Sequence, residues 1–451
     1  MHKITRNQNN KRDNLMFADL MRTTLPIVSL ILFFYLIFEP TPYRKAPREK
    51  EKTKDSLIYL SITTVGDLMC HSSQYHYAKN EDDTYNFLPV FDLVKDYLSD
   101  ADFTIANLET VLAGTTKHFS GYPQFNTPNE YADALKRVGF DALFTTNNHS
   151  YDQGDNGVLR TLDELKARNI PAIGTFYSQK DRDSVRVFDI KGFKIGILAY
   201  TQFSNITVPE SKKFLVNHID SALIAKDIKQ ARAKGAELIL INLHWGAEYQ
   251  HFPNEYQKKI GSYIASLGAD IIFGEHPHVL QPITFLKTGA GASLDSCLLA
   301  YSLGNFISAQ YKRYTDAGVM LTVRLAKNLK DNKIKIISVE YVPTWVFKGK
   351  LDEKMQFKIF PAFLAEAKNY PLTMRNLIPQ EFNQLSDEHL QKMKQAGEDS
   401  KEILTYYQKN LKNIIWKKPF AQDSIVSLPL NISALPDSVF RKKILLKPQG
   451  K

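Results

Sequence analysis

Between residues 56 and 273, short apolar runs alternate with longer amphipathic stretches, and no other feature of the sequence restricts the fold as strongly. Strands separated by helices of this length predict a largely parallel sheet inside a layered α/β domain. The run ELILIN at 237–242 is almost entirely apolar, as in a strand covered on both faces. The predicted strands are 57–65, 103–106, 142–145, 193–200, 237–242 and 269–273, and the predicted helices are 90–98, 130–138, 157–168, 221–234 and 254–267.

The second half of the chain becomes richer in strands and then in polar helices. Three further strands are predicted at 297–301, 319–325 and 334–341. Beyond these, the Lys/Glu/Gln-rich stretch 385–412 is predicted to form a surface helix. We therefore expect one α/β domain over 57–345, followed by a helical and irregular C-terminal extension over 346–451.

An apolar segment near the N-terminus predicts attachment to a membrane. Residues 25–38 read LPIVSLILFFYLIF and follow a basic segment, 1–24. This run is shorter than a comfortable span of roughly 17–25 residues, and it matches a signal-peptide core of about 7–15 residues. No small-x-small cleavage site follows, so we favour an uncleaved signal anchor over a cleaved signal peptide, with a buried core helix as the remaining alternative. Residues 39–56 then form a polar linker, and the main domain is expected outside the cytoplasm, on a single-pass protein of the cell membrane.

The composition excludes several classes of protein. The chain has 58 Lys and Arg against 48 Asp and Glu, but the excess lies at its ends: residues 1–56 carry a net +5 and 401–451 a net +7, which leaves −2 for 57–400. A nucleic-acid enzyme usually carries its basic surface on the folded domain, whereas basic flanks beside an apolar run suit a membrane surface. The two cysteines, Cys70 and Cys297, exclude a disulfide scaffold and a cysteine-based zinc cluster.

Five predicted strands are each followed by side chains that can bind metal or transfer protons. In open α/β sheets, ligands bind beyond the carboxyl ends of the strands. The residues found there are Asp67, Glu109, Asn148, His149, His244, His276 and His278. Each alone has an ordinary explanation, because Asp caps turns, Asn occupies left-handed turn positions and single histidines are mostly held by hydrogen bonds.

Their coincidence predicts a metal site. Four of the eleven histidines fall in these loops, and His276 and His278, two positions apart in a segment expected to be extended, should point the same way. Carboxylates and imidazoles from separate loops suit Zn, Mn or Fe. Two ions about 3.5–4 Å apart need a bridging carboxylate, so we expect one or two divalent metal ions.

The residues after the strands form a series of short motifs. They are Gly-Asp-x-Met at 66–69, Asn-Leu-Glu at 107–109, Phe-Asn-Thr-Pro at 125–128, Asn-Asn-His at 147–149, His-Trp-Gly-x-Glu at 244–248, Gly-x-His-Pro-His-Val at 274–279 and Tyr-Ser-Leu-Gly-Asn-Phe at 301–306. Over about residues 60–310 this series resembles the CapA family of poly-gamma-glutamate capsule biosynthesis proteins. The N-terminal anchor is also typical of such proteins.

The same motifs are similar to a variant of the calcineurin-like metallophosphoesterase superfamily. This resemblance implies a four-layer αββα fold, in which two sheets pack back to back with helices outside. It implies that Asp67 binds one metal, that Glu109 replaces the bridging Asp and that Asn148 binds the second metal. It also implies three further metal ligands and a catalytic residue beside the leaving group, namely His244, His276 and His278 as ligands and His149 as the catalytic residue.

Two positions depart from the superfamily pattern. Met69 stands where the Asp-x-His motif has its histidine, and His71 lies two residues further on. Glu109 is one methylene longer than the usual Asp. Both departures are shared with the CapA pattern, so they favour that family over an ordinary phosphoesterase.

Three functions fit these residues. The expected one is a membrane-anchored, outward-facing protein of capsule or exopolymer biosynthesis, whose partners are the membrane, an anionic polymer or other capsule-synthesis membrane proteins, and no nucleic acid. The second is a general metal-dependent hydrolase of phosphoesters or amides at the cell surface. The third is a polymer-binding module whose metal site has lapsed, which the intact set of candidate ligands opposes.

Overall fold

A computed structural model describes residues 56–369, 378–407 and 414–416. Its strands are β1 (Leu57–Leu68), β2 (Phe103–Leu108), β3 (Ala142–Phe144), β4 (Ala172–Ile173), β5 (Val187–Ile190), β6 (Phe193–Thr201), β7 (Leu238–His244), β8 (Ile271–Glu275), β9 (Leu280–Lys287), β10 (Ser296–Leu303), β11 (Asn305–Ile307), β12 (Ala317–Asn328), β13 (Ile334–Leu351), β14 (Lys354–Pro361) and β15 (Ile414–Trp416). Its α-helices are α1 (Ser72–Ala78), α2 (Lys95–Asp100), α3 (Glu130–Val138), α4 (Gly154–Ala167), α5 (Gln179–Arg182), α6 (Ser221–Ala233), α7 (Glu255–Ser266) and α8 (Asp387–Leu404). Short 3₁₀ helices lie at Leu88–Phe91, Glu210–Leu215, Ala362–Asn369 and Gln380–Gln384.

The larger sheet has the strand order β14-β13-β12-β1-β2-β3-β4. Strands β1 to β4 are parallel, while β12, β13 and β14 extend the sheet on the other side of β1 as antiparallel strands. β11 pairs with the end of β1 and sets Asn305 in register with Asp67, and β15 pairs with β13. The carboxyl ends of β1, β2 and β3 therefore meet at one edge of this sheet.

The smaller sheet has the strand order β5-β6-β7-β8-β10-β9. Strands β6, β7, β8 and β10 are parallel, and the outer strands β5 and β9 are antiparallel to their neighbours. His244 at the end of β7 lies in register with Glu275 at the end of β8. This sheet also presents the carboxyl ends of its central strands at one edge.

The two sheets pack face to face, with helices on both outer faces. Ile62 from the larger sheet and Phe273 from the smaller one belong to the same buried core between them. Leu135 of α3 lies in the core that covers the outer face of the larger sheet, and Ile264 of α7 lies in the core outside the smaller sheet. This helix–sheet–sheet–helix order confirms the predicted α/β class and gives the four layers that the resemblance implied.

The helices begin where short polar side chains satisfy their first backbone N–H groups. The Asp220 carboxylate accepts a hydrogen bond from the backbone N–H of Leu223, and the Asn254 amide oxygen accepts one from Gln257. Such caps contribute about 1 kcal/mol each. They fix the starts of α6 and α7, the two helices that cover the smaller sheet.

The predicted helix 90–98 is broken into two short elements. A 3₁₀ turn at Leu88–Phe91 precedes α2, which begins at Lys95. Phe91, Val94 and Leu98 are all completely buried, and their spacing of three and four residues is typical of one helical face. This spacing predicted a single helix, although the structure has two separate short elements here.

The predicted domain boundary at 345/346 is wrong, because β13 runs through it and β14 returns beside it. Trp345, Phe347 and Phe360 are buried in this part of the sheet. Residues 346–361 therefore belong to the larger sheet. Pro343 and the lysines of the following hairpin interrupt the apolar pattern of these strands. Because Pro and Lys are depleted in central strands, the sequence did not predict that the sheet continues here.

Helix α8 lies within the predicted helical stretch 385–412, but it is more than a surface element. Its Met393 is completely buried, and its Leu404 joins the core between the sheets. The predicted segments 1–24 and 25–38, and the linker up to residue 55, lie outside the described residues. Within the described ranges, no helix combines the length and apolarity that a bilayer crossing requires.

Candidate metal centre

All seven predicted site residues meet at the carboxyl ends of the parallel strands, and none of them is more than 3% exposed. They are Asp67 at the end of β1, Glu109 after β2, Asn148 and His149 after β3, His244 at the end of β7, and His276 and His278 after β8. The cluster spans both sheets. His278 Nδ1, from the smaller sheet, lies 3.0 Å from Asp67 Oδ2 of the larger one.

Two glycines permit the close packing that places these residues. A Cβ atom at position 66 would lie 1.9 Å from the carbonyl oxygen of Gly304, and one at position 274 would lie 2.1 Å from that of Tyr301. Only glycine avoids these contacts. The glycines of the Gly-Asp and Gly-x-His motifs therefore set the chain at the ends of β1 and β8.

Glu109 occupies the middle of the cluster. Both of its carboxylate oxygens are buried and have no hydrogen-bond partner. Its Oε1 lies 3.5 Å from His244 Nε2 and 3.8 Å from His278 Nε2. The donor atoms of Glu109, His244 and His276 all lie within 4.8 Å of one another, and so do those of Asp67, Glu109 and His278. Glu109 is thus common to two donor clusters, and its two free oxygens can serve both.

Hydrogen bonds orient His278 as a ligand. Its Nδ1 faces two acceptors, Asp67 Oδ2 at 3.0 Å and Asn305 Oδ1 at 3.1 Å. Asn305 Nδ2 donates to the carbonyl oxygen of Thr315 at 2.9 Å, which leaves its oxygen facing the imidazole. Nδ1 therefore carries a proton, and the Nε2 lone pair of the neutral ring is directed toward Glu109.

The second cluster is built around His244. Its Nε2 lies 2.8 Å from Asn148 Oδ1, and Asn148 Nδ2 donates to Asn205 Oδ1 at 3.4 Å. His244 Nε2 thus lies close to both Asn148 Oδ1 and Glu109 Oε1. A cation bound among these three atoms would replace the proton on His244 Nε2.

The His276–His278 segment is a turn, and the expectation of an extended segment is wrong. His276 has φ of +98° and His278 has φ of +57°, a backbone region that residues with a Cβ rarely adopt. Such strain concentrates at functional sites. The turn directs both imidazoles into the cluster, where the His276 ring lies 4.9 Å from that of His244 and its buried Nδ1 has no partner.

Burial and mutual repulsion shift the pKa values of the carboxyl groups. Burial, and then the charges of Asp67 and Glu275, raise the pKa of Glu109 well above its ordinary value. Burial and the nearby Asp67 do the same to the pKa of Glu275. Burial also opposes the ionisation of Asp67, but hydrogen bonds from His278 and Asn107 outweigh it and hold its pKa below the ordinary value.

The histidines respond in the opposite sense. Burial, followed by the neighbouring His276, holds the pKa of His244 well below its usual range. Burial, and then His278, lower the pKa of His276 to about 3. Burial also disfavours the charge on His278, but the Asp67 carboxylate outweighs it and raises the pKa of His278.

These residues fit divalent cations. Glu109 and Glu275 are buried carboxyl groups whose oxygens have no hydrogen-bond partner, and the Nδ1 of His276 has none either. Buried polar atoms without partners are costly, and a cation would satisfy them. Neutral imidazoles and carboxylate oxygens suit Zn, Mn or Fe, as predicted.

His149 stands apart from the donor clusters found among the described residues. Its Nδ1 lies 2.7 Å from Asp152 Oδ2, which also accepts a hydrogen bond from the backbone N–H of Phe125 at 2.7 Å. The Nδ2 of Asn205 lies 3.4 Å from His149 Nε2. The buried Asp152 carboxylate accepts a hydrogen bond from Nδ1–H, which fixes the tautomer and leaves Nε2 as the ring nitrogen that can exchange a proton with a bound group.

Sequence reasoning gave no role to several asparagines and to two acidic residues. Asn107 Nδ2 donates to Asp67 Oδ1 at 2.7 Å, and Asn147 Nδ2 donates to Asn107 Oδ1 at 3.0 Å. Both asparagines lie inside the motifs at 107–109 and 147–149, and this position is the sequence signal that could have identified them. Asp152 could have been found from its spacing of three residues after His149. Glu275, by contrast, lies between two motif residues but is recognisable only from its burial.

The departure at Met69 is not compensated by a second ligand. His71 forms no part of the donor clusters found in the described ranges. Its ring packs edge-on against Phe125, with the centroids 5.2 Å apart, and burial lowers its pKa to about 4.

Glu248 is a further acidic residue beside the candidate ligands. Its side chain is exposed, and its carboxylate lies within 4.8 Å of donor atoms of His276 and His278.

Fold and site together define a four-layer α/β protein with a candidate metal centre at the carboxyl ends of its strands. Residues 61–310 match the family of bacterial capsule synthesis proteins, PGA_cap. Because this match covers more than half of the chain, the protein belongs to that family. The resemblance drawn from the motifs is confirmed.

Two curated relatives are similar over most of their length. The PGA biosynthesis protein CapA of Bacillus subtilis (strain 168) is 27% identical over 330 residues, which are 72% of this chain and 80% of the relative. The capsule biosynthesis protein CapA of Bacillus anthracis is 29% identical over 336 residues, which are 72% of this chain and 75% of the relative.

Similar solved structures include the NAD nucleotidase NadN of Haemophilus influenzae, with a TM-score of 0.41 and 13% identity over 80% of this chain and 57% of that one. The calcineurin-like phosphoesterase YfkN of Bacillus subtilis has a TM-score of 0.34 and 15% identity over 75% of this chain and 99% of that one. At these TM-scores the similarities assign neither a fold nor an activity.

Proposed function

We propose that this member of the capsule synthesis family is a membrane-anchored, outward-facing protein that acts on an anionic, poly-gamma-glutamate-like polymer through a centre of one or two divalent ions. The observation that carries the proposal is the position of Glu109. It is a completely buried carboxylate with two unpartnered oxygens, and it belongs to two clusters of metal-binding side chains.

The ligand residues are preorganised for this role. Asp67 and Asn305 hold the proton on His278 Nδ1, so Nε2 is left to bind. Asn148 and His244 present an oxygen and a nitrogen 2.8 Å apart on the other side of Glu109. Divalent ions bound by these residues would supply Lewis acidity to an ester or amide group.

His149 supplies the proton in this proposal. Asp152 accepts a hydrogen bond from its Nδ1–H at 2.7 Å and fixes the orientation of the ring. Nε2 can then give a proton to the oxygen or nitrogen that leaves when the polymer bond is cut, a contribution typically worth about 10²–10⁴-fold in rate.

The polymer must be attracted by the metals rather than by the protein. Residues 57–400 carry a net charge of −2, and the centre itself contains buried carboxyl groups. Bound cations are then the dominant positive charges near the site. We therefore expect retention of polyglutamate by the protein to depend on metal and to be lost on chelation.

The deciding experiment combines metal analysis with an assay. The full chain, purified in detergent and reconstituted with Mn, Zn or Fe, should hold at least about one ion per chain. It should also cleave poly-gamma-glutamate or a generic phosphodiester. Glu109→Gln is the matched variant, because it keeps the shape of the side chain and removes its charge. A wild-type protein with far less than one ion per chain would overturn the metal-centre proposal.

A general metal-dependent hydrolase is the second candidate, and the His149–Asp152 pair favours it over a module that only binds the polymer. A pair that can deliver a proton is needed for bond cleavage and not for holding a polymer. Cleavage of simple phosphoesters with no effect on the polymer would support this alternative. Metal binding without cleavage of any ester or amide would leave a polymer-binding role.

A further inference from the structure

Helix α8 lies far along the chain from the candidate ligands. Its Asp399 is 8% exposed and forms a bidentate ion pair with Arg313, at 2.9 Å to Nε and 2.8 Å to Nη2. Gln395, one turn earlier on the same helix, donates to the same carboxylate at 3.0 Å. Residue 310 is the last one that matches the family, so both members of this pair lie beyond the match.

Arg313 belongs to the loop of residues 308–316, which is held by contacts at its C-terminal end and in its middle. At the C-terminal end, Trp345 Nε1 donates to Asp316 Oδ2 at 3.0 Å and the backbone N–H of Val346 donates to the carbonyl oxygen of Asp316 at 2.8 Å. In the middle, Arg313 is held by α8 and stacks over the ring of Tyr314 at 4.7 Å. Tyr314 itself has φ of +76°, a strained conformation that needs support from its surroundings.

This loop also holds Asn305. The carbonyl oxygen of Thr315 accepts a hydrogen bond from Asn305 Nδ2 at 2.9 Å, and the side chain of Gln310 accepts a second one at 3.1 Å. These two bonds turn the amide so that Oδ1 faces His278 Nδ1 at 3.1 Å. The connection from Asp399 to His278 therefore runs through the Arg313 ion pair, the backbone of residues 313–315 and the amide of Asn305.

We propose that α8 positions His278 for metal binding, with the Arg313–Asp399 pair as the contact that fixes the loop behind Asn305. The proposal rests on the proposed metal centre and adds positioning residues to it. Partners that orient a metal-binding histidine typically change metal affinity by about 10–100-fold when they are removed. Without the pair, the loop loses its support near Tyr314, and Asn305 no longer holds the proton on His278 Nδ1 in place.

The chain offers a matched control in the pair Arg324–Glu340, which joins β12 to β13 at 2.6 Å. The arginine side chains of the two pairs are both partly exposed, 57% for Arg313 and 36% for Arg324. Arg313→Gln and Arg324→Gln therefore remove comparable ion pairs, but only the first connects to the loop behind Asn305. Asp399→Asn tests the same pair from the other side.

Two measurements on the full chain test the proposal. In a Mn²⁺ titration, Arg313→Gln and Asp399→Asn should bind about 10-fold more weakly than wild type, while Arg324→Gln should bind like wild type. In the metal-free protein labelled with ¹⁵N-histidine, the His278 Nδ1–H signal, identified by its loss in His278→Gln, should persist in Arg324→Gln and broaden in Arg313→Gln.

The outcomes separate this proposal from the proposed function. A wild-type protein that binds none of Mn²⁺, Zn²⁺ and Fe²⁺ refutes the metal centre, and the imidazole signal still decides whether α8 positions His278. An unchanged signal in Arg313→Gln overturns the positioning role. Equal weakening of Mn²⁺ binding in Arg313→Gln and Arg324→Gln also overturns it, because the effect would then be a general loss of stability.

Discussion

At the scale of single residues, the carboxylate of Glu109 is expected to contribute more to metal binding than the amide of Asn148. Glu109 belongs to two donor clusters and carries charge when ionised, whereas the Asn148 side chain hydrogen-bonds to one candidate ligand, His244, and is neutral. Glu109→Gln should lower bound metal from about two ions per chain to well below one, and Asn148→Ala should leave about one. Elemental analysis after reconstitution measures both. Equal losses in the two variants would indicate a site for a single ion.

His149 should affect turnover far more than metal content. His149→Ala removes the proton donor held by Asp152 and should slow any hydrolysis by about 10²–10⁴-fold, with metal content and melting temperature close to wild type. His118→Ala, at an exposed histidine, is the control for loss of an imidazole. A variant that loses metal and folds poorly would make His149 a structural residue of the loop that carries Asn148.

The shifted pKa values predict how pH affects the metal-free protein. Glu109 and Glu275 have pKa values raised well above the ordinary 4.5, and His278 has one raised above 6.5, so above pH 6.5 the folded state binds more protons than the unfolded chain. The free energy of unfolding therefore falls as pH rises. His244 and His276 have lowered pKa values and oppose this slope only while the unfolded chain still binds protons at these residues, near pH 6.5, and they add no slope at about pH 8.

Bound metal should remove this loss, because it stabilises the ionised carboxylates. The difference in melting temperature between Mn²⁺-loaded and EDTA-treated protein should widen by about 2–4 °C between pH 6.5 and about pH 8.5. Thermal melts across this range measure it. Glu109→Gln should show a smaller widening, and a constant difference in wild type would contradict the prediction.

At the scale of secondary structure, the sequence predicted the elements that carry the ligands better than those that support them. Strands such as β1 and β7 are apolar runs that lead to a candidate ligand, Asp67 and His244 respectively, so both the element and the candidate residue could be predicted. β13 was predicted only over 334–341 and β14 was missed, because Pro343 and several lysines interrupt their apolar pattern. The turn that carries His276 and His278 depends on positive φ angles at residues with a Cβ, which no residue pattern predicts.

The pair β13 and β14 should be indispensable for folding. Phe347, Phe357 and Phe360 are buried there, and each contributes roughly 1.5–3 kcal/mol by burial, a large share of a typical stability of about 5–15 kcal/mol. A fragment 57–345 should aggregate, whereas 57–420 should give a cooperative thermal transition. Expression of both fragments with analysis of solubility and melting tests this. A soluble, cooperatively folded 57–345 would contradict it.

At the scale of the whole molecule, the membrane location follows from residues outside the described structure and stays a prediction. The fourteen apolar residues 25–38 are few for a membrane span, so Arg22 and Arg44 at its ends would extend their charged groups to the lipid headgroups. The described domain should then lie outside the cytoplasm, where a polymer at the cell surface can reach the metal centre. Protease added to spheroplasts should digest the chain beyond about residue 45 and leave the anchor in the membrane.

The matched control replaces two of the apolar residues by charged ones, Leu30→Lys and Phe34→Lys. Each charge at the centre of a span costs about 2.5–3.5 kcal/mol, so this variant should release the domain from the membrane fraction. A domain that resists protease in intact spheroplasts and is digested only after lysis would place it in the cytoplasm, and both the topology and the proposed action on a surface polymer would be wrong.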